Sequence, residues 1–331
     1  MKKNVRQHLS FKEFFRELKA KQIHYSLFVI IFFFLLFLPG QNYYQTLGLV
    51  EKEPLTWQTP VVLPSPAPYP VKNSDEKEPV LTAEAAILMD VDSQVIMFAK
   101  NANKTLLPAS TVKLMTAIVA LEKFNPDSVL TAWESVSESS SDAALMGLKS
   151  GDRVLVRNIL YGLLLNSGAD AAETLSQNYP GGKTAFIEAM NNKAKQLHLA
   201  NTHYINETGL DDQNQYTSVL DLARLTTYAL RNHLIKQIVS TRELVVVDSQ
   251  SQKKYYLKNI NKLLGVVFGV DGVKTGYTQN AGECLITSAQ RNKRHLVGVV
   301  LKSQDRFGES HEILEWGFRN HAWENFASQA W

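Results

Sequence analysis

Seven of the chain's eleven prolines fall between Glu51 and Pro79: Pro54, Pro60, Pro64, Pro66, Pro68, Pro70 and Pro79. Proline fixes φ and has no amide proton to give to a helix or a sheet. A stretch this rich in it is extended and semi-rigid, rising roughly 3.1 Å per residue. It divides the chain, and residues 40–79 are expected to form a tether rather than part of a core. The folded body is expected over 80–320, with 321–331 as a C-terminal tail. With 45% of residues hydrophobic, such a body can bury a core of its own.

The N-terminal side of the tether has a different character. Residues 1–24 carry Lys2, Lys3, Arg6, Lys12, Arg16, Lys19 and Lys21 against Glu13 and Glu17, a net +5. The whole chain is +3, so the remainder sums to −2, and no nucleic-acid partner is expected. Behind this basic arm runs the apolar stretch Ser26–Leu38. With Ile23, Tyr25, Tyr43 and Tyr44 as flanks it just reaches the ~17 residues that a membrane-spanning helix needs. Pro39-Gly40-Gln41 offers no Ala-x-Ala cleavage pattern. The expectation is a single-pass membrane anchor over 25–39, with a cleaved signal peptide as the alternative. In either case the basic arm stays cytoplasmic and the body is exported.

Cys284 is the only cysteine, which rules out an intrachain disulfide and a cysteine-rich zinc site. The eight histidines are scattered, and His198 and His203, five apart, do not form a His-x-x-x-His pair. No metal or cofactor is expected. In the body, Ala85–Asp90 and Val95–Phe98 flank a polar turn and read as a β-hairpin. Helices are expected over 157–165, 169–177, 184–197, 218–231 and 310–318, with a Ser218/Asp221 cap on the fourth. Strands are expected over 244–247, 255–258, 284–289 and 296–301. Strands near both ends of the body around a helical middle point to an α/β sandwich whose antiparallel sheet pairs early strands with late ones.

Three short motifs carry chemistry. Pro108-Ala109-Ser110-Thr111-Val112-Lys113 opens a helix whose apolar residues include Leu114, Met115, Ile118, Val119 and Leu121. Residues three apart share a helix face, so the Ser110 hydroxyl and the Lys113 amine can meet. A lysine desolvated against apolar walls has a lowered pKa and can take a serine's proton. Ser251-Gln252-Lys253-Lys254 has the same spacing but no apolar helix behind it. Asn166-Ser167-Gly168-Ala169-Asp170 puts a second serine between two helices, where on its own it reads as an N-cap. Lys274-Thr275-Gly276 precedes a strand and suits an anionic group: a charge, a hydroxyl donor and a glycine that lets a ligand approach the backbone.

In this order the three motifs resemble the set found in penicillin-binding proteins and class A β-lactamases. With Leu160–Gly168, Thr208-Gly209-Leu210-Asp211 and Ala281–Leu285, the chain resembles the serine D-alanyl-D-alanine carboxypeptidases, the low-molecular-mass penicillin-binding proteins of peptidase family S11. The resemblance implies a β-lactamase/penicillin-binding-protein-like sandwich, an antiparallel sheet with flanking helices and a helical subdomain. It implies a membrane-tethered enzyme outside the bacterial cytoplasm, acting on peptidoglycan stem peptides ending in D-Ala-D-Ala and inhibited by β-lactams. By the same resemblance, Ser110 is the nucleophile, Lys113 its base and Ser167 a proton relay. Lys274 and Thr275 hold the substrate carboxylate beside Gly276, and the N–H groups of Ser110 and Tyr277 form the oxyanion hole. The family's second motif normally ends in asparagine, where this chain has Ala169. A DD-endopeptidase, which the same family site would serve, is the alternative, and the departure at Ala169 leaves open a weakly active or non-catalytic peptidoglycan-binding protein. A β-lactamase is disfavoured, because Asn206–Asp211 stands where the deacylating glutamate loop would be.

Overall fold

The computed structural model describes residues 11–37, 67–133 and 143–325. The chain divides into two units between Pro64 and Ser65. In the first, α1 (Phe11–Phe37) is one continuous helix. The expected membrane anchor over 25–39 is not supported: among the described residues no helix is long and apolar enough to cross a membrane. The physical reason is length. The apolar part of α1, Ser26–Phe37, rises only about 18 Å at 1.5 Å per residue, against the ~30 Å of a hydrocarbon core. Most of the expected tether, residues 40–66, lies outside the described residues, as do residues 38–39 of the expected anchor.

The second unit begins earlier than Val80. Strand β1 (Tyr69–Lys72) pairs antiparallel with β11 (His321–Glu324), Val71 opposite Ala322. This small ribbon draws both the end of the expected tether and the start of the expected tail into the body. Pro70 is tolerated because each strand has only one partner. The Trp323 indole closes the contact by donating to Asp90 Oδ2 at 2.9 Å.

The main sheet has five antiparallel strands in the order β3 (Ile96–Lys100), β2 (Ala85–Asp90), β10 (Arg294–Ser303), β9 (Gly282–Arg291) and β8 (Val270–Thr278). Early strands pair with late ones as expected, with Met89 opposite Val297. All six residues of β2 are buried, because both faces of the sheet are covered. Alternate side chains serve different cores. Leu88, Leu285, Leu296 and Val300 pack with Ile313, Leu314 and Trp316 of α8 (Arg306–Arg319). Ile87, Met89, Ile286 and Val299 face the larger core.

That larger core belongs to the helical part: α2 (Lys113–Lys123), α3 (Val156–Leu164), α4 (Ala169–Gln177), α5 (Gly182–Gln196), α6 (Val219–Ala229) and α7 (His233–Ser240). Ser218 caps α6 by accepting from the Asp221 amide, as the sequence predicts. Strands β4 (Val129–Thr131) and β5 (Arg153–Leu155) pair with each other, as do β6 (Glu243–Val247) and β7 (Lys254–Lys258), in two separate two-stranded sheets. Within the body the architecture is the expected sandwich with a helical subdomain. Cys284 is fully buried, and burial pushes its thiol up to about 11, the mark of a core residue.

Candidate active site

A 3-10 turn, Ala109–Val112, runs without a break into α2, so Ser110 and Lys113 lie on one face. Lys113 Nζ donates to Ser110 Oγ at 3.0 Å and to the Thr208 carbonyl. The lysine is 2% exposed. Desolvation pulls its pKa down to about 7, against the opposing charges of Asp170, Glu207 and Glu173. The turn is held in an unusual conformation, with Ala109 at φ +48°. Gly209 packs directly on it. At φ +84°, a Cβ on Gly209 would lie 2.1 Å from the Ala109 carbonyl oxygen. Gly209→Ala combines left-handed strain with this clash and is expected to cost about 2 kcal/mol or more. Urea denaturation of the two proteins checks it.

The second motif sits between α3 and α4, with Ser167 itself at φ +62°. Left-handed backbone in a non-glycine residue is costly and gathers at functional sites. The two polar neighbours of Ser167 and Ala169 are engaged with backbone amides elsewhere. Asn166 Oδ1 accepts from the Lys258 amide at 2.8 Å. Asp170 accepts from Met146 and Ala171 on one oxygen, and from Gly147 and Leu148 on the other, at 2.7–2.9 Å. Ala169 is buried and its amide donates to the Ala144 carbonyl at 2.8 Å.

The third motif lies on β8, the strand at the sheet's edge. Lys274, 1% exposed, donates to Ser167 Oγ at 2.9 Å and to the Thr275 carbonyl at 2.7 Å. Burial, then the charges of Lys113 and Arg306, hold its pKa well below the usual lysine range. Thr275 Oγ1 is buried with no hydrogen-bond partner among the described residues. At Gly276, a Cβ would come within 3.1 Å of Ala109 Cβ and 3.2 Å of the Ser110 nitrogen. Glycine is therefore what lets β8 lie against the backbone of the serine turn. Tyr277, the next residue, is exposed.

The fold thus gathers Ser110, Lys113, Ser167, Lys274, Thr275 and Gly276 at one edge of the sheet. Ser251 and Lys254, the other Ser-x-x-Lys pair, are both exposed. Arg306, which belongs to none of the three motifs, also reaches this edge of the sheet. It makes no ion pair among the described residues. Its Nη1 donates to the Gly276 carbonyl at 2.7 Å, and its Nε is buried and unpartnered. The order of the strands, which the motif spacing does not encode, brings it there. The Thr208 carbonyl and Glu207 are likewise invisible as site residues until the chain is folded. Chemically, the cluster offers a hydroxyl beside a depressed amine. Next to it is a group of basic side chains with a hydroxyl and a guanidinium nitrogen unsatisfied among the described residues, suited to a carboxylate.

Such a sheet, with a serine–lysine pair at its edge and Lys-Thr-Gly on the edge strand, defines a penicillin-binding-protein-type domain. The chain belongs to the S11 peptidase family, described as D-alanyl-D-alanine carboxypeptidase, which matches residues 72–305. It is 31% identical over 246 residues to the D-alanyl-D-alanine carboxypeptidase DacF of Bacillus subtilis, covering 72% of this chain and 63% of that one. Against DacD of Escherichia coli the identity is 34% over 255 residues, 73% of this chain and 64% of the other. The chain thus spans just under two thirds of the length of these relatives. Among solved structures, the Streptomyces K15 DD-transpeptidase superposes with a TM-score of 0.70 at 30% identity, over 74% of this chain and all of that one. Penicillin-binding protein D2 of Listeria monocytogenes, in its cefotaxime-bound form, gives 0.65 at 30% identity, over 73% of this chain and all of that one.

Proposed function

We propose that this protein is a serine DD-carboxypeptidase that removes the terminal D-alanine from peptidoglycan stem peptides. The observation that carries the reading is the Lys113 Nζ to Ser110 Oγ contact of 3.0 Å with the lysine buried and its pKa near 7. Ser110 Oγ attacks the carbonyl between the two D-alanines while its proton passes to Lys113. The Ser110 and Tyr277 N–H groups stabilise the oxyanion. The intermediate collapses with cleavage of the C–N bond, and Ser167 relays a proton to the departing amine. Water then hydrolyses the ester and returns free Ser110. Lys274, Thr275 and Arg306 hold the terminal carboxylate. A β-lactam follows the same first step and stays on Ser110 as an ester. The location that fits this substrate is the wall side of the bacterial cell membrane.

Intact-mass analysis after incubation with penicillin tests the reading. One penicillin per chain is expected, mapping to the peptide that holds Ser110. A folded protein that takes up none would overturn it.

Ala169 supports a second reading, a slow or purely peptidoglycan-binding member of the family. An amide at this position would restore a hydrogen bond to the bound substrate. Ala169→Asn is expected to acylate roughly 10- to 150-fold faster, the worth of one charge-assisted hydrogen bond. Stopped-flow acylation rates measure this, and an equal rate would place the limit elsewhere. The similarity to a D-alanyl-D-alanine endopeptidase of Pseudomonas aeruginosa, 34% over 232 residues and 69% of this chain against 73% of that one, keeps cross-link cleavage as the alternative activity.

A further inference from the structure

The loop that supplies the Thr208 carbonyl also buries a carboxylate that the reaction above does not use. Glu207 is fully buried. Its Oε1 accepts from Ser176 Oγ at 3.0 Å and lies 3.2 Å from Lys183 Nζ, on a side chain about half exposed. Its Oε2 has no hydrogen-bond partner among the described residues. The same stretch grips α2 at two points. The Glu207 carbonyl accepts from Thr116 Oγ1 at 2.7 Å, and the Thr208 carbonyl accepts from Lys113 Nζ.

A buried carboxylate with one oxygen unsatisfied is costly. Glutamine could accept from Ser176 equally well, so what the acid adds is its charge, which acts on the half-exposed Lys183 and on the buried Lys113. Asp170 is different, because four backbone amides occupy its carboxylate. We propose that Glu207 is a positioning residue for the catalytic base, fixing Lys113 through the adjacent Thr208 carbonyl and setting a buried negative charge behind it. This role rests on the reading of Lys113 as the base.

The charged groups that face Lys113 are Asp170 and Glu173 from α4, Glu207 from the loop and Lys274 from β8. Burial lowers the lysine to about 7 and the three carboxylates oppose that fall. Removing one negative charge therefore lets Lys113 lose its proton at lower pH. Removing the Lys183 charge beside Glu207 acts in the opposite direction.

The test is a titration of Lys113 in the full chain, ligand-free, by NMR of ¹³Cε-labelled lysine, with the pH dependence of penicillin acylation alongside. Glu207→Gln is expected to lower the Lys113 midpoint by about half a pH unit or more and to move the acid limb of acylation the same way. Glu207→Asp, which keeps the charge, is expected to preserve most of the midpoint. Lys183→Gln, a change at a half-exposed side chain, is expected to raise it and decides the matter should Glu207→Gln fail to fold. An adduct on the unaltered protein with the midpoint unmoved in these variants overturns the role of Glu207 alone. No adduct on the unaltered protein overturns the functional reading and this role with it.

Discussion

Alanine at position 110 is expected to leave a folded protein that forms no penicillin adduct at all. The substitution removes one partly buried oxygen and retains Cβ, so the serine turn loses a single contact, that with Lys113. The lysine keeps its second acceptor, the Thr208 carbonyl. Stability is therefore largely preserved while the atom that would form the ester is gone. Lys113→Met keeps the apolar stem and removes only the base, and acylation is expected to slow by about 10²–10⁴-fold, the usual worth of a positioned base. The pH dependence separates the two roles. The base is the neutral amine, and with the lysine at about 7 acylation of the unaltered protein should rise with pH through that value and level off above it. In Lys113→Met this limb should be absent. Intact mass and stopped-flow rates across pH read both results. An adduct that persists in Ser110→Ala would assign the nucleophile elsewhere.

Much of this site was legible because its chemistry is local in sequence. Ser110 and Lys113 are three residues apart on an apolar helix, so their contact follows from helical spacing alone. The identity of β8 was harder to see. Val270–Thr278 contains two glycines, a lysine and two threonines, and its alternation is weak because nearly every position is buried against either the sheet's two cores or the site. β1 was hidden by composition, since Pro70 and its neighbours read as tether until the partner strand at residues 321–324 is known. The same holds for Arg306, whose role depends on β8, β9 and β10 lying side by side. The apolar run at 26–38 shows the opposite case, where among the described residues no helix is long and apolar enough for the expected span. Hydrophobicity was evident, but a membrane span also requires length.

Asp170→Ala is expected to be the most destabilising single change near the site, by about 3 kcal/mol or more, since each buried amide left without its acceptor costs about 1–3 kcal/mol. Asp170 follows Ala169 directly, where a polar side chain could stand in for the missing asparagine, yet the folded chain gives it another task. The carboxylate is 2% exposed and ties the amides of Met146, Gly147 and Leu148 to the start of α4. Alanine would leave those three amides, together with that of Ala171, without their acceptor. Buried donors without partners cost far more than an ordinary exposed hydrogen bond gains. Met146 also packs against Gly162, where a Cβ would fall 2.1 Å from its sulfur, so loosening residues 146–148 disturbs the contact between that segment and α3. Both helices that flank Ser167 then lose part of their support. Two measurements identify the cause. Urea denaturation gives the loss of stability, and hydrogen exchange should show the amides of 146–148 losing protection ahead of the central sheet. Asp170→Asn, which keeps one acceptor oxygen, is expected to recover part of the stability. A variant as stable as the parent, with those amides still protected, would show that the segment is held by its apolar packing and not by the carboxylate.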